Sequence, residues 1–499
     1  MMEPMPIAGR SRMPGAARRS LRALLVTGVV AACGVLASTA SAHKVMIVSQ
    51  GEPPAKVPAR VFYFKGIQAA VNATREGDWV LIEPGIYHEE VKVTQPHRHI
   101  WIRGMNRNTV ILDGNNEPKP EGSNGIEVYK DPNVWIENLT VRNFDRAKSD
   151  GPGGNEIWWN GGEGSNKLGA HGWWGRYLTA YDTGLNGGYG IFTNNMKQGS
   201  WENIYASGFN DSGMYLGACP ECEAHINKAV MENNALGYSG SNSGGNLVIE
   251  NSVFNHNTNG LAPNSENPGD GPPPQNGACE HKPLHWSIEK QMFLGKLPTF
   301  TSTAIARCTI IRNNRVEENN NISAPDNPSS GKAPWGTGIQ LAGDYGDLIE
   351  GNQIKNNPTN GVLGFEYPNP YPPTAQTLYF ELAGNKIANN TFVGNGYVGG
   401  TFAGDVMLQG GLFRSHNTQN CLSGNSFTAA TYPASIEGTW GCQNETTPNP
   451  ENGFAAVEYL LELQYVSEHR EPVGQPAPPA QETMPNPCEG VPVANALCP

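Results

Sequence analysis

The sequence predicts an all-β fold: a right-handed single-stranded parallel β-helix with about 23 residues per turn, an amino-terminal capping helix and a carboxy-terminal tail. Three observations predict it. Gly190, Gly213, Gly237 and Gly260 recur at spacings of 23, 24 and 23 residues, each before a large apolar residue, Ile191, Met214, Tyr238 or Leu261. Asn203, Asn227 and Asn251 follow the glycines of that series by 13 or 14 residues. Between them lie short alternating segments such as GNLVIENSVFNHN, which read as strands, and the LxxLxL pattern of a leucine-rich solenoid is missing. A unit this short buries its apolar side only by stacking on copies of itself. The asparagines are expected at one fixed corner, left-handed in backbone, each amide bonded to the turns above and below.

The same pairing extends in both directions. Gly125 with Asn138, Gly338 with Asn352 and Gly361 with Asn385 repeat it, and NEIWW at 155–159 adds a turn with Glu156 in the glycine position. Extra residues enter only at corners, where loops leave a solenoid without disturbing its strand ladders.

Composition agrees with a coil of tight corners: 60 Gly and 39 Pro among 499 residues, 16% charged and a net charge of −12. That balance argues against nucleic acid or anionic membrane as a partner, and disfavours an acidic polysaccharide unless Ca²⁺ or a local basic patch intervenes. Residues 1–42 read as an export signal: Arg18 and Arg19, an apolar run from Leu21, then ASA at 40–42. A competing lipobox-like VAACG would leave Cys33 as a lipidated terminus. No later stretch is long and apolar enough to span a bilayer.

From Phe64 the segment FKGIQAAVNATREGD places Ile67, Ala70 and Val71 on one helical face, as a cap over the open end of the coil requires (about 64–76). WVLIEPGIYHEEVKV and HIWIRGMNRNTVILDG follow as the first strands. The opening GIQAAVNATREGDWVLIEPGIYHE and the later NVWIENLTVRNF resemble the pectate-lyase-like superfamily of right-handed β-helix repeat proteins, over about residues 60–430. The resemblance implies the fold and leaves the activity open, because that superfamily holds lyases, hydrolases, epimerases and proteins without known catalysis.

Eight cysteines remain after the leader, an even number in an exported chain, so disulfides are the default. Proximity in sequence suggests Cys279 with Cys308, Cys421 with Cys442, Cys488 with Cys498, and a local bridge in CPEC between Cys219 and Cys222. The coil is expected over 43–445, interrupted by an inserted loop at about 263–303. Beyond it, 446–499 should hold a helix, GFAAVEYLLELQYV, and a Pro-rich, linker-like tail.

If the residue after each glycine points inward, the next points outward. That position reads Glu127, Trp158, Phe192, Tyr215 and Ser239 up the coil, so three consecutive turns display an aromatic ladder. Turns stack about 4.8 Å apart, which gives the strip the length of about two sugar rings. Asn194, Asn242 and Asn264 lie beside it as partners for hydroxyl groups. Off by one residue, the same aromatics would face the core instead.

Glycoside hydrolysis needs two carboxyl groups, whereas elimination from a uronic acid needs a base and a neutralised carboxylate. Asp182, Asp211 and His256 lie nearest the strip in this register and are the catalytic candidates, although carboxylates before a glycine more often shape turns. Ca²⁺ enters as a cofactor only through the elimination reading; no metal ligands are assigned. NTNG at 257–260 resembles the NTDG of polygalacturonases, but Asn259 stands where their catalytic Asp would be, so it inherits no role. The expectation is an exported, monomeric polysaccharide-active protein, lyase or hydrolase. The alternative is a non-catalytic surface protein that binds glycan or cell envelope through the same strip.

Overall fold

The computed structural model describes residues 43–499 except 95–98, 118, 149, 163–168, 220–221, 266–284, 288–298, 302–308, 369–378, 381, 383, 410–419 and 443–452. The expected export signal at 1–42 with Cys33, most of the expected inserted loop, and Cys279 and Cys308 lie outside the described residues. Within them the chain winds as a right-handed parallel β-helix with three faces per turn. In one turn, Tyr189–Asn194 belongs to the first face, Met196–Glu202 to the second and Tyr205–Ser207 to the third. The first face is an 11-stranded parallel sheet. The second and third join into one 21-stranded sheet, because Val134–Arg142 and Ala170–Tyr181 each run through both and bend between them at left-handed Asn138 and Tyr177.

Register on the first face follows the glycine series. Ile126, Ile157, Ile191, Met214, Tyr238 and Leu261 pair in succession, then Ile339, Val362 and Val406, and all are buried in the core. The preceding glycines stack so closely that a side chain has no room. A Cβ on Gly237 would meet the carbonyl oxygen of Gly260 at 2.5 Å, and one on Gly260 that of Gly338 at 2.4 Å. Two carboxylates break the column, Glu156 beside Gly125 and Asp405 beside Gly361.

The asparagines differ from the expected arrangement. Asn203 and Asn251 are left-handed, but Asn227 ends a strand and Lys228 takes the left-handed position of that turn. The amide stack runs through the residue after each such corner, because that residue points back inward. At the corner between the second and third faces it passes from Ser252 through Asn314, Asn352, Asn390 and Asn425. A second stack, at the corner leading back to the first face, joins Asn234, Asn257, Asn319, Asn357 and Asn395. Each amide donates to a carbonyl of the turn below and accepts from its neighbour, so the amides of the stack are satisfied by one another and by the backbone. The stacks end on groups that only accept: Asp405 takes the last amide of one at 2.9 Å, and Glu437 that of the other at 2.7 Å.

Both ends are closed. The helix Ile67–Ala73 buries Ile67, Ala70 and Val71 over the first turn, and the Glu89 carboxylate accepts its first two N–H groups at 2.6 and 3.0 Å. At the far end the short helix Ile436–Thr439 and Trp440 cover the last strands. The helix Gly453–Glu468 then lies across the outer surface of the first face, with Ala456, Tyr459 and Leu463 packed on Ala342, Leu363, Phe365 and Met407.

The Pro-rich segment departs from the linker-like expectation. It runs back along the coil as a strap, bonded through Val473 to Ser323, Gln481 to Asn108, and Thr483 and Met484 to Asn138. Arg103 donates to the carbonyls of Pro487 and Glu489 at 2.9 and 2.7 Å, and Arg107 to that of Glu482 at 3.1 Å. The strap ends in the loop closed by Cys488–Cys498, which packs on Val45, Ile47, Val61, Trp79 and Leu81 beside the capping helix. Proline suits this path, since an extended segment held mainly by its carbonyls needs few N–H donors. Cys219–Cys222 and Cys421–Cys442 are also bonded.

Candidate functional site

On the first face, Glu127, Trp158, Phe192, Tyr215, Ser239 and Ala262 stand in register on consecutive turns, with their side chains on the outer surface. The Trp158 and Phe192 rings stack at 5.1 Å with 3° between their planes, and Tyr215 meets Phe192 edge-on at 5.0 Å. A fourth ring, Tyr189, packs on Phe192 at 4.6 Å and on Tyr215 at 5.2 Å, which leaves Phe192 9% exposed. Trp158 and Tyr215 are half-buried and carry the open part of the strip. Farther along, the sheet is occupied by the helix Gly453–Glu468, so the accessible strip belongs to the amino-terminal half of the coil.

Amides and charges line the strip. Asn194 accepts from the Trp158 indole at 2.9 Å, and Asn160 donates to Glu127 at 2.9 Å. Lys92 pairs with Glu127 at 2.9 Å, and both Lys92 and Lys130 lie over the Tyr129 ring, at 5.3 and 5.0 Å.

The edge where strands enter the first face holds the ionisable groups. Arg146 lies over the Tyr189 ring at 5.1 Å and is 3.5 Å from the Asp211 carboxylate. Asp211 also accepts from Ser212 at 2.9 Å and from Asn327 at 3.0 Å. Burial, reinforced by Asp211, holds the Tyr189 hydroxyl well above its ordinary pKa, so it stays protonated and within hydrogen-bonding reach of that carboxylate. Beneath this edge lie three buried carboxyls. Asp145 is pushed up to about 7 by burial and by Asp182, and burial with the same neighbour raises Glu156 well above the carboxylate range. Asp182 is itself raised by burial, against the N–H groups of Gly184 and Gly187, which it accepts at 3.0 and 2.9 Å.

The structure separates the three catalytic candidates. Asp211 stands at the strip's edge. Asp182 is fully buried and shapes its own loop. His256 is a left-handed corner residue facing Glu318 at 3.2 Å. Backbone hydrogen bonds from Asp182 to Ser207, Gly208 to Asn233 and Asn233 to His256 put Asp182 and His256 in one corner column, three turns or about 14 Å apart. Among the binding candidates, Trp158, Phe192, Tyr215 and Asn194 are brought together. Asn242 is left-handed and 1% exposed, so it builds a corner. Asn264 ends a strand, its amide donating to Ala262 at 3.2 Å. Sequence reasoning missed Tyr189, Arg146 and Asn327. Simple alternation from inward Ile191 would turn Tyr189 inward as well, but its ring packs on outward Phe192 and Tyr215; Arg146 and Asn327 lie on corner loops without periodicity.

No family model matches the chain, and no curated protein matches it. Solved structures give partial likeness. The A-module of the mannuronan C-5 epimerase AlgE4 from Azotobacter vinelandii covers 72% of this chain and 90% of its own, at 13% identity and a TM-score of 0.43. A tailspike protein of E. coli bacteriophage HK620, in complex with a pentasaccharide, covers 76% and 60% at 12% identity and a TM-score of 0.40. An alginate lyase from Paenibacillus sp. covers 74% and 93% at 11% identity and a TM-score of 0.34. No residue role passes from these proteins to this chain. Among the described residues, no three His, Cys, Asp or Glu side chains converge to hold a metal ion, and no helix is long and apolar enough to cross a membrane.

Proposed function

We propose that this protein is an exported polysaccharide-active β-helix whose substrate lies along the outer surface of the first face. The observation that carries the reading is the run of outward rings, Trp158, Phe192 and Tyr215, with Asn194 fixing the first of them. Flat apolar faces beside amides suit sugar rings, which present C–H on their faces and hydroxyls at their edges. The three disulfides among the described residues support an oxidising compartment.

Chemistry, whether elimination or hydrolysis, is assigned to the strip's edge. Asp211 is the carboxylate placed to accept a proton, Tyr189 a hydroxyl kept protonated to donate one, and Arg146 the cation that offsets charge developing beside them. A second reading, glycan binding without catalysis, is favoured by the burial of Asp182 and the corner position of His256, which leave Asp211 alone at the strip among the three residues that the sequence offered as catalytic.

Incubating the protein with neutral and anionic glycans, with and without Ca²⁺, tests both readings. Ultraviolet absorbance from unsaturated products together with new reducing ends marks a lyase, and reducing ends alone mark a hydrolase. Retention on a glycan column without either supports binding alone, and no retention on any glycan removes both readings.

A further inference from the structure

The segment between Glu318 and Gly336 leaves the coil at the corner that leads into the first face and folds back toward earlier turns. Asn321 bonds to Asn233 at 3.1 Å, and Ser330 donates to the Asn210 carbonyl at 2.5 Å. At its tip, Asn327 accepts the N–H groups of Ser329 and Ser330 at 2.8 and 3.0 Å, which fixes its side chain. Its amide donates to the Asp211 carboxylate at 3.0 Å and to the Asn210 side chain at 3.4 Å. One residue before Asn327, a cation from the strap takes over. The Arg470 side chain is fully enclosed. It donates to the Asp326 carboxylate at 3.2 Å, to the Pro325 carbonyl at 3.2 Å and to the Thr258 hydroxyl. Val473 and Gln475 tie the next residues of the strap to Ser323 in the same loop.

We propose that Arg470 is a positioning residue for the site: by clamping Pro325 and Asp326 it holds Asn327 against Asp211, so the carboxy-terminal strap orients the carboxylate at the edge of the aromatic strip. This rests on the reading of Asp211 as a functional group. The geometry supports a specific transmission, because Arg470 binds three acceptors on two segments, and the residue following its ion pair is the one that reaches Asp211. A guanidinium fits such a fork, whereas an ammonium at the same place reaches fewer acceptors. A hydrogen bond donated to a carboxylate stabilises its ionised form, and Asn327 supplies one to Asp211.

The test is a carboxyl titration that needs no substrate. In protein labelled with ¹³C at aspartate carboxyls, with the Asp211 signal assigned by Asp211→Asn, the midpoint of Asp211 is followed in wild type, Asn327→Ala, Arg470→Met and Arg470→Lys. Asn327→Ala and Arg470→Met should each raise it by about half a unit or more, the double variant should add little, and Arg470→Lys should recover part of the shift. Should Arg470→Met not fold, Asp326→Asn weakens the same clamp with near-identical shape. An Asp211 midpoint that stays at the wild-type value when the clamp is broken, while Asn327→Ala moves it, overturns the proposal, and so does an unchanged midpoint in Asn327→Ala itself. Glycan retention is measured in parallel. If wild type retains no glycan yet the titration shifts as expected, the functional reading fails and the coupling stands.

Discussion

The indole Nε1 of Trp158 donates a 2.9 Å hydrogen bond to Oδ1 of Asn194, which stands one turn farther along the coil, two residues beyond the ring on which Trp158 stacks. The bond sets the rotation of the indole and holds its face stacked on Phe192. Replacing Trp158 and Tyr215 together by Ala should weaken glycan retention more than about tenfold, a loss of about 1.4 kcal/mol or more. Asn194→Ala should fall between, because the ring remains but its orientation is released. Affinity electrophoresis measures retention, and circular dichroism should show the coil unchanged.

The amide stacks predict position-dependent costs. Asn357 donates to Val316 and Asn395 and accepts from Asn319, so Asn357→Ala strands donors and a carbonyl in the core. A loss of about 3 kcal/mol is expected in denaturant unfolding. Asp405 holds Asn395 and the N–H groups of Thr428 and Ala429. There an amide in place of the carboxylate should cost about 2 kcal/mol, because its added donors face donors.

Stability should fall as pH rises from mildly acid to neutral. Glu156 and Asp344 are both held protonated by burial, Asp344 with the added repulsion of Asp347. Their folded pKa values lie above the unfolded ones, so their contribution is whole below about pH 4 and is lost as pH rises toward the folded values. Glu250 acts in the opposite sense: despite burial, His225 and Arg312 lower it to about 2, so its contribution is lost as pH falls below about 4. Unfolding followed across pH should show a maximum in the mildly acid range, and Glu156→Gln should flatten the alkaline side.

Removing residues 472–499 should lower the melting temperature by more than about 5 °C and open the amino-terminal end to proteolysis. Arg103 and Arg107, both nearly fully buried, would lose the carbonyls of Pro487, Glu489 and Glu482. A free linker would leave the melting temperature where it was, and differential scanning calorimetry separates the two outcomes.

The parts of this architecture that were legible in the sequence are those with a period. The glycine column repeats because the Cβ positions are filled by atoms of the next turn, its carbonyl at Gly190, Gly237, Gly260, Gly338 and Gly361 and the Asn234 amide at Gly213, so chain spacing and stacking are the same fact. The outward phase of Trp158, Phe192 and Tyr215 follows from that column by alternation alone. The amide stacks were displaced by one residue because the left-handed corner turns the following side chain inward, and Asn is common at both places. The strap and the Asp211 surroundings were illegible for another reason. Gln481 meets Asn108, and Arg470 meets Thr258, across separations on which local pattern is silent.

A solenoid ordinarily gains or loses whole repeats without penalty, since every layer is interchangeable with its neighbours. Here the strap starts beside Thr258 and ends beside Trp79, with fixed attachment points between. It works as a ruler: inserting or deleting one layer between those anchors would misalign every downstream attachment. This protein should therefore resist duplication between Trp101 and Asn264, so the height of the coil beneath the strap is set by the segment that crosses it.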